Sequence, residues 1–101
     1  MKRQDRYALI IGLMHRNGGQ THMLDTLVSH NYARATNEEL TLVKAQDFMF
    51  YRCQQLKADL LAMYKDGLLQ RKLMPFSSDI AGAPRSFFVY TVSKYIAYQL
   101  G

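Results

Sequence analysis

Residues 60–69, Leu-Leu-Ala-Met-Tyr-Lys-Asp-Gly-Leu-Leu, decide how this chain divides into helices and strands. Leading into and through their first part, apolar residues recur at the helical spacing of four, three, four and three positions, at Met49, Cys53, Leu56, Leu60 and Met63. Gly67 ends this helix, because glycine adopts the left-handed conformation of a C-cap without strain. After it, Leu68–Met74 alternates around Gln70 and Lys72, which predicts a strand.

Downstream, residues 75–85 contain two prolines, a glycine and two serines, which predicts a loop. Ser86–Val92 is rich in aromatic and β-branched residues, so we expect a strand that pairs with Leu68–Met74 in an antiparallel hairpin. Ser93 is placed to cap a short last helix that runs through Leu100.

Upstream, the pattern predicts three more helices. The first covers Asp5–Asn17, with Tyr7, Ile10, Ile11 and Met14 on one face, and Gly18 and Gly19 follow it. The second runs from Thr21 to about His30. Thr36 and Glu39 have the spacing of a capping box, which predicts a short third helix before the long helix of residues 47–66. The predicted fold class is therefore α+β and mainly helical, in one domain that spans residues 1–101.

Composition limits the classes of partner and the compartment. The 101 residues are 49% hydrophobic and 21% charged, with a net charge of +5 that favours a polyanionic partner such as nucleic acid or an anionic membrane surface. A basic protein that is merely soluble is the alternative. The longest apolar run, Ala8–Met14, is far shorter than the roughly 20 residues of a membrane span, and no signal-peptide pattern is seen. With one cysteine and hence no intrachain disulfide, we expect a cytoplasmic protein.

The order of predicted elements resembles the winged-helix version of the helix-turn-helix superfamily. The resemblance covers Thr36–Val92, and residues 60–69 are similar to the end of the recognition helix and the entry to the wing in repressors of the multiple-antibiotic-resistance and arsenical-repressor types. Phe87–Val92, followed by Ser93, Lys94 and Tyr95, resembles the close of the wing before a final helix. Leu40–Gly67 is about five residues longer than the usual spacing. The extra residues could extend the recognition helix or lengthen the turn.

The resemblance implies that the N-terminal half of the long helix enters the major groove of DNA. With the apolar stripe inward, the candidate base-reading side chains on its polar face are Tyr51, Arg52, Gln54, Gln55 and Lys57. An ordinary solvated helix face is the alternative. In the wing, Ser77, Ser78 and Arg85 are candidates for phosphate or minor-groove contacts, and a mobile surface loop is the alternative. Arg71 and Lys72 lie on opposite faces of their strand, so at most one of them faces DNA together with Arg85.

Other chemistry finds little support in the sequence. His15, His22 and His30 lack the spacing of a zinc site, and Cys53 lies on the apolar stripe, where we expect it to be buried. No Gly-rich phosphate loop or catalytic set is recognisable, so we expect neither an enzyme nor a cofactor. Lys2, Arg3 and Arg6 form either a phosphate-contacting arm or a frayed, charged terminus.

The sequence thus predicts a protein that binds specific double-stranded DNA sequences, most simply a transcriptional repressor. We expect it to act as a homodimer that pairs through the first helix and Ser93–Leu100. Two alternatives stay open. One is a plasmid or phage partition protein that binds centromere repeats. The other is a winged-helix module that binds a protein partner, such as an inhibitor of a host factor.

Overall fold

A computed structural model describes residues 1–22, 25–45, 48–75 and 86–92 of the chain. These ranges form a small α+β structure of three helices and five strands. In chain order the elements are α1 (Arg3–Arg16), β1 (Gln20–His22), α2 (Thr26–Thr36), β2 (Thr41–Ala45), β3 (Phe48–Arg52), α3 (Gln54–Lys65), β4 (Leu69–Pro75) and β5 (Ser86–Val92).

The first helix has the predicted apolar face. Every residue of the predicted stripe is buried, and Leu13 joins it. The helix ends where Gly18 and Gly19 take φ values of 75° and 83°, and the Gly19 N–H closes the last turn on the carbonyl of Met14 at 2.7 Å. The left-handed backbone explains why two glycines stand here.

The second helix lies further along the chain than predicted. Residues Gln20–His22 form a strand, and α2 begins only after Asp25, whose carboxylate accepts a hydrogen bond from the Val28 N–H at 3.1 Å. The predicted capping box at Thr36 is wrong, because the Thr36 hydroxyl donates back to the carbonyl of Tyr32 at 2.8 Å. Thr36 is therefore the last residue of α2, and Asn37 ends the helix in the left-handed conformation, with φ of 57°.

A hairpin replaces the predicted third helix and the start of the predicted long helix. Strands β2 and β3 pair antiparallel with Thr41 opposite Arg52 and Leu42 opposite Tyr51. Their sequences, Thr-Leu-Val-Lys-Ala and Phe-Met-Phe-Tyr-Arg, are rich in β-branched and aromatic residues that suit a pleated surface. Met49 is 61% exposed, so it does not continue the buried stripe of α3 as the helical spacing suggested.

The predictions around Gly67 are confirmed. Helix α3 ends at Lys65, Gly67 then turns the chain with φ of 80°, and the Leu68 N–H donates to the carbonyl of Met63 at 2.9 Å. Strands β4 and β5 form the predicted antiparallel pair, with Arg71 opposite Tyr90. Strand β1 pairs with the other edge of β5, so the sheet has the order β1-β5-β4. The predicted last helix, Ser93–Leu100, lies outside the described residues.

The core lies between the three helices and one face of this sheet. Its largest fully buried side chains are Tyr32, Ile10, Met14, Met63, Thr21 and Cys53. The burial of Cys53 agrees with its predicted role as a small apolar residue. Within the described ranges, no helix has the length and apolar character needed to span a membrane.

Candidate nucleic-acid interface

The outward face of α3 is the candidate interface. Leu56, Asp59, Leu60 and Met63 point into the protein, whereas the exposed positions of the helix include Gln54, Lys57, Ala58, Leu61 and Tyr64. Two of the five side chains that the sequence placed on this face, Gln54 and Lys57, are present there. Ala58 and Leu61 were not predicted, because only polar side chains were considered as base contacts and Leu61 was expected to widen the buried stripe, whereas it is 37% exposed.

The other three predicted base-reading residues lie elsewhere. Tyr51 and Arg52 belong to β3, because the helix starts only at Gln54. The Tyr51 ring packs edge-on against His30 with centroids 5.0 Å apart, and the Arg52 guanidinium donates to the Gln54 side-chain oxygen, 2.8 Å away. Gln55 turns inward, where its Nε2 donates to Asp59 Oδ1 at 3.0 Å. Gln55 therefore supports the interior instead of facing a partner.

Arg71 is fixed beside the outward face of α3. Its guanidinium carbon lies 4.1 Å from the centroid of the Tyr64 ring and 4.0 Å from that of Phe88. Two ring faces hold the cation by cation–π attraction and restrict its rotamers. Lys72 is exposed on the opposite face of β4, as the alternation of the strand predicts. Ser77, Ser78 and Arg85, the predicted wing contacts, lie outside the described residues.

A groove runs between α3 and the sheet. It is lined by Gln54, Lys57, Ala58, Leu61, Arg71, Phe88 and Tyr90. The side chains from α3 form one wall, and Arg71 and the two aromatic residues form the other. The groove thus brings two cations, an amide and an apolar surface together, which are the groups that contact phosphates and base edges in protein–DNA complexes.

Two arginines of α1 neutralise Asp59 of α3 and Asp66 at its C-terminal end. Arg6 Nε donates to Asp59 Oδ2 at 2.9 Å, and Arg3 Nη2 donates to Asp66 Oδ2 at 3.0 Å. Arg3 and Arg6 therefore do not belong to a frayed terminus as expected. Each guanidinium is paired with a carboxylate of this protein. A further consequence is that neither Asp59 nor Asp66 leaves an unpaired negative charge on α3 or at its C-terminal end.

Asp59 is the centre of a buried polar network that the sequence analysis missed. Its carboxylate is 5% exposed and accepts hydrogen bonds from the side chains of Arg6, Gln55 and Tyr32, the last from the Tyr32 hydroxyl at 2.6 Å. The network joins all three helices. A signal was present in the sequence: Asp59 lies three residues after Leu56 and four before Met63, on the buried stripe.

The network changes the acidity of its members. Burial alone raises the pKa of Asp59, but the hydrogen bonds from Arg6, Tyr32 and Gln55 outweigh burial and hold the pKa below its ordinary value. Burial and the hydrogen bond to the Asp59 carboxylate both raise the pKa of the Tyr32 hydroxyl. Asp59 is therefore ionised and Tyr32 is protonated at neutral pH.

The lowered pKa of Asp59 predicts a loss of stability in acid. The unfolded chain binds this proton near pH 3.9, while the folded chain binds it only at lower pH. The stabilisation from Asp59 is thus complete above about pH 5 and falls as the pH drops through the folded pKa. Urea unfolding of the protein and of Asp59→Ala between pH 3 and 7 measures this contribution. The difference in unfolding free energy should shrink toward pH 3, and a constant difference would contradict the assignment.

Among the described residues, no group of three His, Cys, Asp or Glu side chains is arranged to hold a metal ion. No family model, curated protein or solved structure matches this chain.

Proposed function

We propose that the protein binds double-stranded DNA as a winged helix-turn-helix regulator, most simply a repressor that acts as a homodimer. Helix α3 lies in the major groove, and the hairpin of β4 and β5 is the wing beside it. The observation that carries the proposal is the groove, in which the outward face of α3 faces an arginine held between two aromatic rings.

The arrangement of elements supports this proposal. Helices α2 and α3 pack on the same core, and the hairpin of β4 and β5 follows α3 directly. The β2–β3 hairpin stands where a short turn would join the two helices. This hairpin accounts for the extra residues between Leu40 and Gly67. We therefore favour a longer turn over an extended recognition helix as the explanation of that length.

The chemistry of the groove suits a nucleic-acid duplex. Gln54 and Lys57 occupy the first turn of α3, which is the part of a recognition helix that contacts base edges. The Arg52 guanidinium holds the Gln54 side-chain oxygen, which leaves the Gln54 amide N–H to donate to a base acceptor such as N7 of adenine, and lysine contacts guanine or a phosphate. Arg71 is placed at the border of this face, where a phosphate of the DNA backbone is the natural partner for a cation held by stacking.

Binding to a random pool of duplexes, followed by anisotropy titrations of the enriched sequences in a salt series, tests the proposal. Lys57→Ala should weaken binding about tenfold and reduce the salt slope by about one phosphate contact. Gln54→Ala should reduce discrimination between enriched and random duplexes by about 5- to 100-fold. Lys72→Ala is the matched control, since it removes one exposed lysine from the opposite face of the sheet.

Equal micromolar binding to all duplexes, unaffected by Gln54→Ala and Lys57→Ala, would refute the proposal. That result would favour the alternative of a protein partner. The surface to examine would be the β2–β3 hairpin, because Leu42, Met49 and Tyr51 are exposed on one of its faces. Cooperative spreading over repeated sites would instead favour the partition role.

A further inference from the structure

The outward face of α3 is more apolar than a face that meets only water. After Gln54 and Lys57 it presents Ala58, Leu61 and Tyr64, and the side chains of Leu61 and Tyr64 are each 37% exposed. A helix face that meets only solvent is normally polar or charged. An isolated exposed leucine is common and needs no explanation, but Leu61 continues the surface of Ala58 inside the groove.

Ala58 and Leu61 form an apolar strip on α3, and the residues around this strip limit which partners can cover it. Lys57 lies beside it on α3, and Arg71 faces it from β4. Asp59 of α3 and Asp66, which follows the helix, are both paired with arginines of α1. A partner for the strip should therefore combine negative charge with exposed apolar groups. The major groove of DNA offers this combination at thymine, whose 5-methyl group projects into the groove between the two phosphate backbones.

Spacing along the helix agrees with this partner. Ala58 and Leu61 are three residues apart, which separates them by about 4.5 Å along the helix axis. Successive base pairs are separated by about 3.4 Å. Two side chains at this separation can each meet the methyl group of one of two adjacent thymines.

We infer that the DNA recognised by this protein carries adjacent thymines opposite α3, and that Ala58 and Leu61 read their 5-methyl groups. The inference rests on the proposed DNA binding and adds the base that the helix selects. Lys57 and Arg71 supply affinity for the backbone, and the apolar strip supplies preference for A·T pairs over G·C pairs in the major groove.

Replacement of thymine by deoxyuridine tests the inference, because uracil keeps every hydrogen-bonding group of thymine and lacks only the methyl group. The best duplex from the random pool is made with thymine and with deoxyuridine, and both forms are titrated against the protein. We expect a loss of about fourfold for each methyl group that is buried, hence about 15-fold for two. Single replacements locate the two positions.

Variants of the protein connect the effect to the strip. Leu61→Ala should bind the thymine duplex more weakly and should lose most of the difference between thymine and deoxyuridine at one position. Leu27→Ala, which truncates a leucine of α2 that is 68% exposed and does not line the groove, should keep the full difference.

The outcomes separate this inference from the proposed function. Sequence-selective binding with equal affinity for both duplexes would overturn the inference and leave the DNA-binding proposal intact. A difference that Leu61→Ala leaves unchanged would also overturn it. Absence of any selective DNA binding would remove the inference and the proposed function together.

Discussion

Substitution of Asp59 by alanine is expected to lower the free energy of unfolding by about 3–5 kcal/mol. The carboxylate is almost fully buried and accepts hydrogen bonds from Arg6, Gln55 and Tyr32. Alanine removes the acceptor and leaves the Tyr32 hydroxyl, in a side chain with no exposed surface, without this partner. A buried donor that loses its acceptor retains the full cost of leaving water.

Asp66→Ala is the matched control. Asp66 also belongs to the α3 region and also pairs with an arginine of α1, but the side chains of Arg3 and Asp66 are 65% and 47% exposed. Exposed pairs contribute about 0–1 kcal/mol, because water screens the charges and the side chains lose entropy. Urea denaturation followed by circular dichroism gives both values. Equal effects of the two substitutions would show that burial of the network does not determine its contribution.

Leu60→Ala should cost about 3 kcal/mol, while Leu61→Ala should cost less than about 1 kcal/mol. The two leucines are neighbours on α3, but Leu60 is 4% exposed within the core and Leu61 is 37% exposed on the outward face. Truncation of a buried leucine removes the favourable free energy of burying its side chain and leaves a cavity. Truncation of an exposed leucine removes less buried surface and leaves a smaller cavity. Because both changes replace leucine by alanine in one helix, intrinsic helix propensity cancels between them.

Chemical denaturation at neutral pH measures the pair. A large effect of Leu61→Ala would mean that its side chain supports the fold, and its role in contacting DNA would then need a different test. A small effect of Leu60→Ala would contradict the assignment of the buried stripe. The expected pattern also makes Leu61→Ala a sound variant for the titrations, since the protein stays folded.

The local sequence pattern was sufficient to predict the elements that have a strong amphipathic period or end at a glycine. The stripe of α1 was predicted from spacing alone, and Gly67 divided helix from strand because glycine alone adopts φ of 80° without strain. The pairing of β4 and β5 followed from two strand-forming segments joined by a loop. These features depend on interactions between residues close in sequence, which is why the sequence reveals them.

The β2–β3 hairpin was not predicted, because its residues fit both the helical spacing and the alternation of a strand. Met49 and Cys53 extend the helical spacing of α3, yet Phe48–Arg52 pairs with Thr41–Ala45 through hydrogen bonds that no single segment displays. The candidate site inherited this error. Gln54 and Lys57 lie on the outward face of α3 as predicted, whereas Tyr51 and Arg52 lie in β3 and Gln55 points inward.

The sequence by itself determined α1, the end of α3 at Gly67 and the strands that follow, because backbone conformation and amphipathic period are local properties. Only the tertiary structure decided where α3 begins and which side chains border the groove. It also decided that Asp59 meets Arg6, 53 positions away, and that Arg71 lies between Tyr64 and Phe88. These contacts join segments that approach one another only when the core forms, and in the Asp59 network burial then strengthens the hydrogen bonds.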